Sequence, residues 1–287
     1  MISMVIGLVI IGVVFANYLG SGAGKNSSNA LSQMSEDATV ALNYIRKQVT
    51  QAGYSHPYQV STTGLDRTYK GQAIFGCDGP FDNQAAPFIG ELTCKTGGGT
   101  SDSIAVAFEA DAQNSVMRNS GTQPGDCVGS GITATPSVGA IPSYYLAESR
   151  LYVNPSNSLS CQGNGQNSLP TTGTSLLGSA APLVDNIVSM RIRYGVAAPA
   201  PAPRLPTKFI KASDVGVATS ATWKDVVAVR VCVVVRSENE ILDAATPYYG
   251  CDAIDSSETT LAKLLTTPTD RRLYRAFSTT VMVQNKL

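Results

Sequence analysis

Charge is scarce in this chain. Asp, Glu, Lys and Arg make up 15% of its 287 residues, and 21 cations balance 21 anions. That is well below the share usual in globular domains. No basic run or stripe is present, which argues against a nucleic-acid binder. Histidine occurs once, at His56, next to Pro57. A His-rich metal site is therefore excluded and no Ser-His-Asp relay can be argued, so His56 is read as a loop or capping residue. Gly97-Gly98-Gly99 lacks the following Lys-Ser/Thr of a phosphate loop and reads as an ordinary loop. Asp78, Asp82 and Asn83 carry oxygens suited to calcium, but their spacing misses the EF-hand pattern. No constellation points to a cofactor or to catalysis, and the chain is read as a non-enzyme. Tyr144, Tyr145, Tyr248 and Tyr249 occur as adjacent pairs, for which core or sheet-face packing is the favoured role.

Cysteine, by contrast, is present six times, with no CxxC spacing. An even number at wide spacing reads as a disulfide framework in an oxidising compartment, with connectivity left open by the sequence. Sequential pairing closes the shortest loops and gives the candidates Cys77–Cys94, Cys127–Cys161 and Cys232–Cys251. Each such link stabilises by about 3 kcal/mol through the entropy of the unfolded chain.

The longest apolar run is at the start. Residues 1–19, MISMVIGLVIIGVVFANYL, contain no charge and are just long enough to span a bilayer core. The apolar positions are Met1, Ile2, Met4, Val5, Ile6, Leu8, Val9, Ile10, Ile11, Val13, Val14 and Phe15. No basic n-region precedes the run, which separates it from a secretory signal. Gly20, Gly22 and Gly24 weaken helix locally and mark a hinge or a melted turn. From Asn26 a three-four spacing returns through Leu31, Met34, Ala38, Leu42, Ile45 and Val49. Gly53 is placed as the helix C-cap. This predicts one long N-terminal helix, with residues 1–25 as a membrane or filament half. Residues 26–53 are the amphipathic half, belonging to a globular domain over 26–287.

Residues 54–100 show little periodicity and read as a long loop region tied by Cys77 and Cys94. Two-residue alternation then predicts strands at Ile104, Val106, Phe108, and more weakly from Tyr145 through Ala147, Ser149 and Leu151 to Val153. Val188, Met190, Ile192 and Tyr194 form another. The clearest is Val227, Val229, Val231, Val233, Val235, whose other face, Arg230, Cys232 and Arg236, meets solvent or a covering loop. Phe277, Thr279, Val281 and Val283 form the last. Residues 154–182 read as an irregular loop, 197–206 as a polyproline-like connector, and 257–265 as a short helix. The fold class is α+β: a long helix laid on a mainly antiparallel sheet with long disulfide-tied loops.

Four stretches carry a family resemblance. They are MISMVIGLVI at 1–10, ALNYIRKQVTQAGY at 41–54, LVDNIVSMRIRYGV at 183–196, and the pair VVAVRVCVVVRSE at 226–238 with RRLYRAFSTTVMVQNKL at 271–287. The chain resembles the type IV pilins, and more narrowly the PilW-like minor pilins. The first stretch is common to all pilins and pseudopilins, whereas the later ones are more specific. In that family a processed chain opens with an apolar residue, a short apolar stretch and a Glu. The motif puts that Glu, and a leader with its Gly cleavage site, upstream of Met1, so an earlier start codon is expected. The resemblance implies a pilin-like fold and a structural subunit that helps prime type IV pilus assembly and sits at the tip. It also implies N-terminal methylation, twitching motility and surface adhesion. Implied partners are other minor pilins, the major pilin and the inner-membrane assembly platform, reached through the N-terminal helices and the membrane. The implied location is a single-pass inner-membrane protein with a periplasmic domain, later part of the pilus. Two other readings share the helix: a minor pseudopilin of a type II secretion system, and a membrane-anchored adhesin.

Overall fold

The computed structural model describes residues 2–62, 64–118, 121–165, 177–198, 204–255 and 265–285. The first part comprises α1 (Ile2–Gln51), β1 (Pro57–Ser61), β2 (Gly64–Arg67), β3 (Ile74–Cys77), β4 (Ser103–Ala110), β5 (Met117–Arg118) and β6 (Gln123–Pro124). Next come β7 (Tyr145–Val153), β8 (Leu159–Gly163), β9 (Ala181–Val184), β10 (Ile187–Ala197), β11 (Pro206–Ile210) and α2 (Ala212–Val215). The last part holds β12 (Val226–Arg236), β13 (Tyr248–Tyr249), α3 (Asp252–Asp255), β14 (Leu265–Thr266) and β15 (Tyr274–Met282).

Two antiparallel sheets carry most of the core. One runs β3-β4-β7-β8-β9 and the other β11-β10-β12-β15. The second half of α1 packs on β12 and β15 and touches β4 and β9. β12 is valine-rich because both of its faces are covered. Val229, Val231, Val233 and Val235 join the main core under α1. On the other face Cys232 and Val234 form a second cluster with Cys251, roofed by Tyr248 and Tyr274. The cover on that face is thus a loop held by the Cys232–Cys251 disulfide. The other two links are Cys77–Cys94 and Cys127–Cys161, and no free cysteine is present.

Several sequence expectations need correction. The 54–100 region is not only loop: it holds the β1–β2 hairpin and β3. β3 is four residues long and buried throughout, so it shows no alternation to read. Residues 154–182 contain β8, an interior strand between β7 and β9. Its polar Ser160 is buried, and Asn154 donates to its hydroxyl. Val188 does not share a face with Met190. A bulge between Ile187 and Ser189 shifts the register, so Ile187 enters the main core and Val188 joins the Cys232 cluster. In the segment expected as a helix at 257–265, residues 257–264 lie outside the described residues and Leu265 begins β14. The 197–206 connector is described only at its ends, with Ala197 closing β10 and Pro206 opening β11.

The outward face of β7 carries a buried charged pair. Arg150 is fully buried and donates to the carbonyls of Gln84 and Ala86. Glu148 accepts from the Ile89 amide, and its other oxygen lies 3.5 Å from the Arg150 guanidinium. Both side chains serve the loop that Cys77–Cys94 ties over this face. Burial pushes the Glu148 carboxyl up to about 7, with Arg150 pulling the other way, and burial lowers Arg150.

Candidate assembly helix

The backbone of α1 is helical from Ile2 to Gln51, through all three glycines. A helix of this length spans about 75 Å. Of the expected membrane or filament positions, Met1 and the side chains of Ile2, Met4, Val5, Leu8, Val9, Val14 and Phe15 lie outside the described residues. Ile6, Ile10, Ile11 and Val13 are described, and each is more than half exposed. Among the described residues no helix is long and apolar enough to cross a membrane.

The second half of α1 is fastened by one buried stripe: Met34, Ala38, Ala41, Ile45, Val49 and Ala52, each 1% exposed or less. Burying the larger of these contributes about 2 kcal/mol apiece. Leu31, expected in this stripe, is 37% exposed and lies beyond the point where the helix meets the sheet. Leu42 sits at the flank, partly buried against the core. The central place belongs to Ala41, whose small side chain lets the helix lie close on the valines. The 34, 38, 41, 45 spacing carried that signal, but an alanine is easily passed over for a neighbouring leucine.

Polar locks surround the stripe. The Tyr44 hydroxyl donates to the Cys127 carbonyl, tying α1 to the Cys127–Cys161 link. Burial, helped by the Asp126 charge, pushes that phenol up to about 12. Gln51 donates to the Asn114 carbonyl at 2.7 Å, and Asn285 donates to the Thr50 carbonyl at 3.0 Å. Gly53 ends the helix at φ +74° and donates to the Ala107 carbonyl at 2.9 Å. A Cβ there would collide with the Asn285 carbonyl oxygen. Near the middle of α1, Gln33 donates to Glu238 at 3.3 Å. The Asp37 carboxyl is raised there by partial burial and by the charges of Glu36, Asp185 and Glu238.

The other candidate residues hold loops in place. His56 donates its backbone N–H to Glu109 at 2.7 Å, its Nδ1 lies 2.9 Å from the same carboxylate, and its Nε2 is 3.6 Å from Asp111. Ser55 Oγ is engaged by Glu109, Thr68 and the Tyr69 amide. The cluster fastens the start of β1 to the end of β4. The Asp78 carboxylate accepts from the Ala212 and Ser213 amides, and Asn83 bonds Thr93 and the Glu91 carbonyl. Those oxygens are used as backbone caps. Gly97 and Gly98 turn at positive φ, and the Gly99 carbonyl accepts from Arg191. Tyr248 stacks on Tyr274 with centroids 4.8 Å apart, while Tyr249 is 47% exposed.

Comparison with known proteins adds two findings. The chain is similar to the type IV-like pilin TTHA1219 from Thermus thermophilus, with 12% identity over 88% of this chain and 98% of that one, at a TM-score of 0.39. No curated protein matches it. Residues 143–285 match the family of the type IV pilus-assembly protein W. That span takes in β7 to β9, the whole β11-β10-β12-β15 sheet and Asn285, which donates to Thr50 near the helix end. That match, over the second half of the chain, supports a PilW-like pilin.

Proposed function

We infer that this chain is a minor pilin that helps prime assembly of a type IV pilus. In this reading α1 waits in the inner membrane with the sheets in the periplasm, then packs laterally against the helices of other minor pilins and the major pilin. The family match over 143–285 is the observation that carries the reading. A helix clamped to the sheets from Met34 onward, with Ile6, Ile10, Ile11 and Val13 exposed far ahead of that clamp, supports it. Lipid and a helical bundle are both apolar, so transfer between them gains little hydrophobic energy. Register is then set by close packing and by pairing of polar groups. A place at the tip and contact with the assembly platform follow from the same reading.

The test is complementation in a strain lacking the gene. Ile6→Asp with Ile10→Asp should abolish surface pili, counted by electron microscopy, while the melting of the globular domain stays as in wild type. Normal piliation by this variant would overturn the reading.

A further inference from the structure

We propose that the cleft beside the β1–β2 hairpin is a docking site for an acidic peptide segment carrying a bulky apolar side chain. The cleft has a volume of about 430 Å3, within the usual range for ligand sites. Its apolar lining includes the exposed Leu65 and the buried Trp223 and Val283. Its charged lining is Arg67, Lys70 and Lys224, and among the described residues no acidic side chain lines it. Lys70 is paired with Asp66 at 2.8 Å. Arg67 donates to the Ser55 carbonyl at 2.6 Å, which fixes its guanidinium in the lining. Cations beside an apolar lining select a ligand that brings both a carboxylate and a hydrophobic body.

The hairpin argues for a peptide. Val60 and Leu65 are cross-strand partners and share one face, yet they are 77% and 58% exposed. Two bulky apolar side chains side by side in water at a hairpin form an unusual surface. A molecule that only fills the cleft leaves Val60 bare, whereas an extended segment running out of the cleft covers both. The position suits docking as well. Asn285 lines the cleft and bonds Thr50, so the site adjoins the C-terminal end of α1, opposite to Ile2. Packing of the apolar helix half leaves it accessible. The proposal does not rest on the pilin reading and would survive its failure.

The experiment pans the full-length protein in detergent against a random heptapeptide library displayed on phage. Enriched peptides are then synthesised and titrated while the emission of Trp223, the single tryptophan, is followed. The expected result is enrichment of Asp or Glu together with Leu, Phe or Trp, and a change in Trp223 emission on binding. Affinity should fall about tenfold in Lys70→Glu with Lys224→Glu, and in Leu65→Ser, and should weaken with added salt. Leu65 is exposed, so its replacement leaves the fold intact and keeps the test open if the charge-reversed protein misfolds. No enrichment, enrichment without an acidic bias, or binding indifferent to Leu65→Ser and to salt would overturn the proposal.

Discussion

Replacing Ile45 by Ala tests how α1 is held. Ile45 is fully buried in the centre of the stripe, between Ala41 and Val49. The change removes three carbons. At about 0.8 kcal/mol per buried methylene, the transfer cost is about 2.4 kcal/mol. The cavity left under a helix that cannot collapse onto the sheet raises the total to about 3–4 kcal/mol. Leu31→Ala removes as many carbons from a side chain that is 37% exposed, and should cost less than about 1 kcal/mol. Ala41→Leu should destabilise despite adding apolar surface, by about 1–3 kcal/mol, because that position has no spare volume.

Trp223 provides the assay. It is 2% exposed and packs edge-on against Phe75 of β3 and Tyr194 of β10, so its emission reports the joint between the two sheets. Guanidinium titration of the oxidised, detergent-solubilised chain gives the midpoint shifts. Equal costs for Leu31→Ala and Ile45→Ala would mean that the helix is held by the stripe read from the sequence instead. A loss below about 0.5 kcal/mol for Ile45→Ala would mean that α1 is not part of the cooperative unit.

The sequence was most legible where one physical pattern dominated. The alternating valines of β12 marked a strand, and six cysteines with no metal-type spacing marked disulfides. Legibility failed where a second element covers the expected solvent face. Glu148 and Arg150 lie on the polar phase of β7 and look exposed, yet the Cys77–Cys94 loop buries both. The Val188 phase was lost to a single bulge, which has no composition signal in Ile187-Val188-Ser189. β8 was hidden by its buried Ser160, which is hydrogen-bonded by Asn154. Ala41 was hidden by Leu42, since hydrophobicity favours the larger residue and packing the smaller. The cleft could not be read at all: Arg67 and Lys70 come from one segment and Lys224 from another far away in sequence, and only the fold brings the two round one cleft.

Three further outcomes are expected. Thiol titration of the denatured, unreduced protein should find no free thiol, and Cys232→Ser with Cys251→Ser should cost about 3 kcal/mol by denaturant melting. Gly53→Ala should cost about 1–3 kcal/mol, since an alanine must adopt a left-handed conformation and meet the Asn285 carbonyl, and a wild-type midpoint would refute this. The last concerns pH. The Glu148 carboxyl stands at about 7 in the folded protein against 4.5 unfolded, because burial disfavours its charge more than Arg150 and the Ile89 amide favour it. Between those two values the folded state binds more protons than the unfolded one. Stability therefore falls as pH rises through this window, by on the order of 3 kcal/mol, and levels off above it. Glu148→Gln keeps the shape and the Ile89 contact but cannot ionise, so its stability should lack that slope. Denaturant midpoints at intervals from pH 4.5 to 8 measure the difference. If the slope persists unchanged in Glu148→Gln, another group is responsible and the buried pair under the Cys77–Cys94 loop is not the titrating element.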